Sequence, residues 1–170
     1  IESGSNSVYR ALASNSCISR GVLKSLFDIK DADTEAADWI IQGLCENTSL
    51  PDEIVESLLL TIEENSYFML LKCPSLNKMQ KQQLLAKMIH PSQYPSVLED
   101  AASSDALLPK QIDFLINHES ENVRTALARN PGLDKNSQLV LAKDHSVMVR
   151  KILALNVNLS KDAEELLKKN

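Results

Sequence analysis

Three histidines, His90, His118 and His145, are the residues of this chain best suited by type to move protons or bind a metal. His118 and His145 fall in nearly equivalent stretches, each beside an acid, Glu119 and Asp144. A metal pair or an acid–base site would use that pattern. Loop histidines on a solvated edge give the same pattern, and no GxSxG, HExxH or phosphate-loop motif accompanies them. The solvated-edge reading is preferred, and no catalytic residue and no metal is assigned. The stretch Asp31-x-Asp33-x-Glu35 alternates acids like a calcium loop, but its sixth position is Ala36 and its twelfth Gln42, which rejects an EF-hand. Cys17, Cys45 and Cys73 are odd in number and form no CxxC pair, so neither zinc nor an iron–sulfur cluster is indicated. They read as small buried hydrophobes in a reducing compartment.

Charge narrows the partner. The net charge is −5, and between positions 31 and 71 there are ten acids and no Lys or Arg. Such a segment matches phosphate backbones poorly and suits solubility or a basic protein surface. No apolar run is long enough to span a membrane, and no signal peptide is seen. A cytoplasmic location is expected. The chain opens on Ile rather than Met, so a piece of a longer protein is expected.

These residues must be positioned by helices, because one apolar spacing recurs along the chain. With Ile18, Leu50, Leu76, Leu107, Leu133 and Leu159 as anchors, the residue eight later is Leu26, Leu58, Leu84, Leu115, Leu141 and Leu167, six of six. Six before stand Leu12, Leu44, Leu70, Ala101, Leu127 and Leu153; ten before stand Val8, Ile40, Ser66, Val97, Val123 and Val149. Positions four apart share a helix face, giving a first short helix before each anchor. Ser19, Asn77, Asp134 and Ser160 follow four anchors as N-caps of a second helix, with Gln80 in capping-box spacing after Asn77. Pro51 and Pro109 suit the first helical position of two others. Asn15, Asn47, Asn130 and Asn156, three before their anchors, are expected to close the first helix in a left-handed conformation.

Anchor spacings of 32, 26, 31, 26 and 26 give a basic repeat of 26 residues with two insertions. The expected fold is all-α, one domain over residues 1–170, of about six two-helix repeats at 8–27, 40–59, 66–85, 97–116, 123–142 and 149–168. Residues 1–7 read as a flexible lead-in. The insertions, residues 28–39 and 86–96, read as long connections, with 31–38 and 89–95 projecting from one edge.

The stretch VRTALARNPGLDKNSQLVLAKDHSVMVRKILALN resembles the leucine-rich repeat variant family. Val123-Arg124, Leu127-Ala128-x-Asn130-Pro131-x-Leu133, Leu139 to Ala142, Val149-Arg150 and Leu153-Ala154-x-Asn156 carry the likeness. The resemblance implies a right-handed superhelical solenoid, similar to HEAT and armadillo arrays, that serves interaction or scaffolding. Some members bear an N-terminal cysteine cluster; nothing here matches it, so no cofactor is carried over.

The expected function is therefore a protein-interaction or scaffolding module, not an enzyme. Its candidate partner-binding residues are the acidic second-helix positions Glu53, Glu56, Asp113, Asp162 and Glu165, with Trp39 and Tyr94 in the insertions. The alternative is a nucleic-acid-binding HEAT-like solenoid of the DNA-repair kind, using Arg10, Lys72, Arg124, Arg129, Arg150 and Lys151 of the first helices. Acids at the second-helix positions outnumber Lys24 and Lys110 and weigh against nucleic acid.

Overall fold

Ser19, Asn77, Asp134 and Ser160 each start a helix, because each places an acceptor over the unpaired amides of a first turn. Asp134 accepts from the amides of Asn136 and Ser137, and Ser160 from Ala163. Ser19 Oγ lies 3.4 Å from the Val22 amide. Asn77 and Gln80 form the reciprocal box, each side chain taking the other's amide at 3.0 Å. Pro109 is the first residue of its helix, whereas Pro51 stands one residue earlier as the N-cap.

A computed structural model describes the backbone of residues 2–32 and 34–169 and the side chains of residues 6–30 and 36–169. The helices are α1 (Glu2–Ser14), α2 (Arg20–Ala32), α3 (Thr34–Glu46), α4 (Asp52–Thr61), α5 (Tyr67–Leu71), α6 (Lys78–Met88), α7 (Pro95–Ala102), α8 (Pro109–Ile116), α9 (Glu121–Arg129), α10 (Lys135–Leu141), α11 (Val147–Ala154) and α12 (Lys161–Leu167). A 3₁₀ turn, Glu64–Ser66, precedes α5. The protein is all-helical, with no strand among the described residues. Each of the six anchors lies in the connection between two successive helices.

Two expectations about chain punctuation are corrected. Residues 1–7 are not a lead-in: the backbone of α1 begins at Glu2. The insertion at 28–39 is not a projecting connection: α2 runs to Ala32 and α3 starts at Thr34, so the extra residues lengthen two helices. No proline or glycine interrupts that stretch, and its DADTEAAD run tolerates helix. The side chains of the calcium-like run 31–35 lie outside the described residues. The second insertion, expected as a connection over 86–96, is a loop only over 89–94, because α6 runs on to Met88 and Pro95 begins α7.

The chain divides into two compact units, Ile1–Leu84 and Leu85–Asn170. In the first, α3 packs on both α1 and α2. Gly43 sets the closest approach: a Cβ there would fall on the Arg10 carbonyl oxygen and within 2.7 Å of the Ala13 Cβ. In the second, α9 packs on both α7 and α11, and α10 on both α8 and α12. Its core gathers Leu98, Leu115, Val123, Leu127, Leu141, Val149 and Leu153, all nearly inaccessible. Each such side chain contributes roughly 1.5–3 kcal/mol on burial. Of the six recurrent leucines, Leu26, Leu58, Leu84, Leu115 and Leu141 are buried and Leu167 is partly exposed.

The asparagines do something other than expected. No described residue, glycines included, has a positive φ, and Asn130 is extended at φ −65°, ψ 119°. The left-handed cap is therefore wrong. Asn130 Oδ1 instead accepts the Gly132 amide at 2.8 Å, while Nδ2 donates to the Ala102 and Ser104 carbonyls at 2.7 and 2.8 Å. Asn156 repeats this on Ala128 and Asn130, both 2.9 Å. Asn47 repeats it on Ala13 and Asn15, at 2.8 and 3.1 Å. Each Asn thus ties its own helix corner to the corner one pair earlier. Cys73 has no such donor; Ser75 Oγ supplies the link, donating to the Asn47 carbonyl at 2.8 Å and accepting the Leu50 amide at 3.1 Å.

Candidate interaction surface

Helix periodicity sends the residues three and six after each anchor away from the buried +8 leucine. Glu53, Glu56, Asp113, Asp162 and Glu165 are accordingly all exposed. Glu53 and Glu56 lie on α4 of the first unit; Asp113 lies on α8 and Asp162 and Glu165 on α12 of the second. Two of the five are neutralised at matching positions. Glu53 pairs with Arg20, and Asp162 with Lys135 at 2.6 Å. Both cations stand two after their anchor and both acids three after the next. Glu56, Asp113 and Glu165 make no ion pair among the described residues. Trp39 on α3 is 40% exposed, and Tyr94, which leads into α7, 72%.

The rival cationic set is largely engaged. Arg10 bonds Glu46 on α3. Lys72 Nζ lies 5.7 Å from the centre of the Phe68 ring. Arg124 is buried, only 4% exposed. Arg150 Nη1 donates to the carbonyls of Asp144 and His145 at 2.6 and 3.2 Å. Arg129 and Lys151 are exposed.

Arg124 anchors a convergence of titratable groups in the second unit. Its Nε donates to Asp144 Oδ2 at 2.7 Å and its Nη2 to Oδ1 at 3.2 Å. Nη1 donates to the carbonyls of His118 and Glu119 at 2.8 and 2.9 Å, and Nη2 also reaches His145 Nε2 at 3.0 Å. Asp144 Oδ1 further accepts the Ser146 amide at 2.8 Å. Burial pushes the Asp144 carboxyl up, but the Arg124 hydrogen bond, the Ser146 amide and the nearby positive charge outweigh it and hold the group below its ordinary value. His118 Nδ1 accepts the Ser120 amide at 3.1 Å, which places the neutral ring's proton on Nε2.

These residues, with Leu139, Val140 and Lys143, line an open groove of about 610 Å³. The histidine pair of the sequence reading is thus brought to one groove. The carboxylate beside it is committed to Arg124 rather than aimed at a ligand. Among the described residues no three His, Cys, Asp or Glu side chains form a metal-holding group. Each Arg124 donor direction is occupied, so the cluster functions as a clamp joining the loop before α9 to the loop before α11.

Arg124 and Arg150 both stand nine before their anchors, yet one holds a carboxylate and the other only carbonyls. The signal was present: an acid stands two residues before Ser146, whereas His118 stands two before Ser120. Cys45 and Cys73 are buried, as their reading as small core residues expects, but Cys17 is exposed, because it lies in the turn after α1, so that reading is corrected for Cys17. Burial, with the neighbouring Cys73 and Glu46, pushes the Cys45 thiol up to about 12. No described helix is long and apolar enough to cross a membrane. No protein-family model, no curated protein and no solved structure matches this chain.

Proposed function

We propose that the chain is a HEAT-like helical repeat array of the leucine-rich-repeat-variant kind, acting as a protein-interaction scaffold in the cytoplasm. The recurring asparagine clasp carries this reading. Asn47, Asn130 and Asn156 each bond the same two carbonyl positions of the preceding helix pair. A side chain that repeats one long-range bond at one register is the mark of stacked, equivalent units. Stacked units offer exposed lateral positions for a partner; the first unit carries Glu56 and Trp39 there, and the second carries Asp113, Glu165 and Tyr94. The partner is a protein with a basic surface.

Nucleic acid is the second reading, and the engagement of Arg10, Arg124 and Arg150 weighs against it. A capture experiment from native lysate compares the wild-type chain with the triple variant Glu56→Lys, Asp113→Lys, Glu165→Lys. Proteins recovered by the wild type should be lost from the variant. Equal recovery by both would sink the acidic-face assignment. Tight, salt-sensitive binding of single- or double-stranded oligonucleotides in fluorescence anisotropy would replace it with the nucleic-acid reading.

A further inference from the structure

The groove of the second unit carries donors that its own clamp does not use. Every N–H of Arg124 is engaged, on Asp144, on His145 and on the carbonyls of His118 and Glu119. That network fixes the loops before α9 and α11, so the side chains on them are held before any ligand arrives. His118 Nδ1 accepts the Ser120 amide, and His145 Nε2 accepts from Arg124 Nη2. Each ring therefore keeps a proton on its other nitrogen, His118 on Nε2 and His145 on Nδ1, whether or not the ring is charged. His118 Nε2 has no hydrogen-bond partner among the described residues. Asp144 Oδ1 lies 3.6 Å from His145 Nδ1, beyond hydrogen-bond length. Lys143 lines the same groove, is exposed, and makes no ion pair among the described residues.

The remaining lining selects among anions. Asp144 is spent on Arg124, so Lys143 and Glu119 are the unpaired charges of the groove. Three free donors thus face one free acid. A phosphate, with its charge near two, would overfill the single free ammonium, whereas a carboxylate matches it. Beside the donors the lining is apolar, with Ile116, Leu139 and Val140, the last 53% exposed. The volume of about 610 Å³ is in the range of ligand pockets. An aspartate or glutamate brings a carboxylate in place of an apolar side chain. The last residue of a chain carries a carboxylate and an apolar side chain on one Cα.

We propose that this groove takes the carboxyl-terminal end of a partner protein whose last residue is apolar. The carboxylate has Lys143 Nζ and the two imidazole N–H groups as its donors, and the last side chain lies on Leu139 and Val140. The assignment is separate from the acidic positions Glu56, Asp113 and Glu165 and does not rest on them.

Fluorescence anisotropy of the full chain tests it, with a short fluorescein-labelled peptide that ends in leucine and a free carboxylate, and with the same peptide amidated. The acid should bind, and the amide should bind roughly tenfold more weakly. Lys143→Met changes an exposed side chain and should keep the wild-type circular dichroism, weaken the acid peptide by a similar factor and leave the amide unchanged. Glu119→Gln removes the opposing charge and should tighten the acid peptide. Val140→Ser should narrow the preference for a terminal leucine over a terminal glycine. Equal binding of acid and amide, binding of neither, or a Lys143→Met variant that holds the acid as the wild type does would each overturn the proposal. Weaker binding in Glu119→Gln would overturn it too, because the groove would then be selecting a cation.

Discussion

Replacing Asn130 with alanine removes three hydrogen bonds from a side chain only 4% exposed. Two of them cross between helix pairs, to the Ala102 and Ser104 carbonyls, and one holds the Gly132 amide. Each lost bond costs about 0.5–1.5 kcal/mol net, and each partner left buried and unsatisfied raises its share toward roughly 1–3 kcal/mol. Taking the middle of these ranges, Asn130→Ala should lose about 3–5 kcal/mol, a large part of the stability of a domain this size. Asn15→Ala is the internal control, because that exposed side chain makes only the Cys17 bond, and it should lose about 1 kcal/mol or less. Asn130→Asp separates shape from donation: the acceptor for Gly132 remains, but an oxygen replaces the donor facing two carbonyl oxygens, so the loss should match or exceed that of alanine. Urea unfolding followed by far-ultraviolet circular dichroism at neutral pH measures all three. If Asn130→Ala cost no more than Asn15→Ala, the clasp would be ornament rather than structure.

Gly43→Ala should destabilise by about 1–3 kcal/mol in thermal unfolding, since its Cβ would overlap the α1 backbone at Arg10. Breaking the buried pair with Arg124→Ala or Asp144→Ala should cost about 3–5 kcal/mol, and replacing both with Met and Leu should recover most of that loss. Asp144 and Asp134 both titrate below the ordinary carboxylate value, Asp134 chiefly through its Ser137 hydrogen bond. Their stabilising contributions are present above the unfolded carboxylate value, about 3.9, and are lost as pH falls from there through the lower folded-state values. Asp144→Asn should flatten the acid limb of a stability–pH curve measured by urea titration, and an unchanged limb would reject Asp144 as a source. Of the three cysteines, Cys17 alone is exposed, so one thiol should react promptly with an aromatic disulfide reagent in the native protein and three in urea.

What the chain's local spacing determined is what local physics can carry. A helix cap joins residues two or three apart, so Asn77 with Gln80 and Asp134 with Ser137 were legible, as was the leucine eight after each anchor, buried in five of the six repeats. Other features depended on neighbours far along the chain. Asn130 reads locally as a helix stop, and only Ala102 and Ser104, 28 and 26 residues earlier, reveal it as a clasp. Arg124 reads as a surface cation until Asp144, 20 residues later, buries it. The run at 28–39 looked like a connection because it lacks apolar period, yet helix needs only tolerant residues once its ends are fixed. The candidate surface was half legible. Periodicity placed Glu56, Asp113 and Glu165 outside, but not that Arg20 and Lys135 would neutralise Glu53 and Asp162. Sequence period sets which side of a helix a residue occupies; only packing decides which residue of the next helix it meets, because that distance is a property of the folded chain and not of the spacing along it.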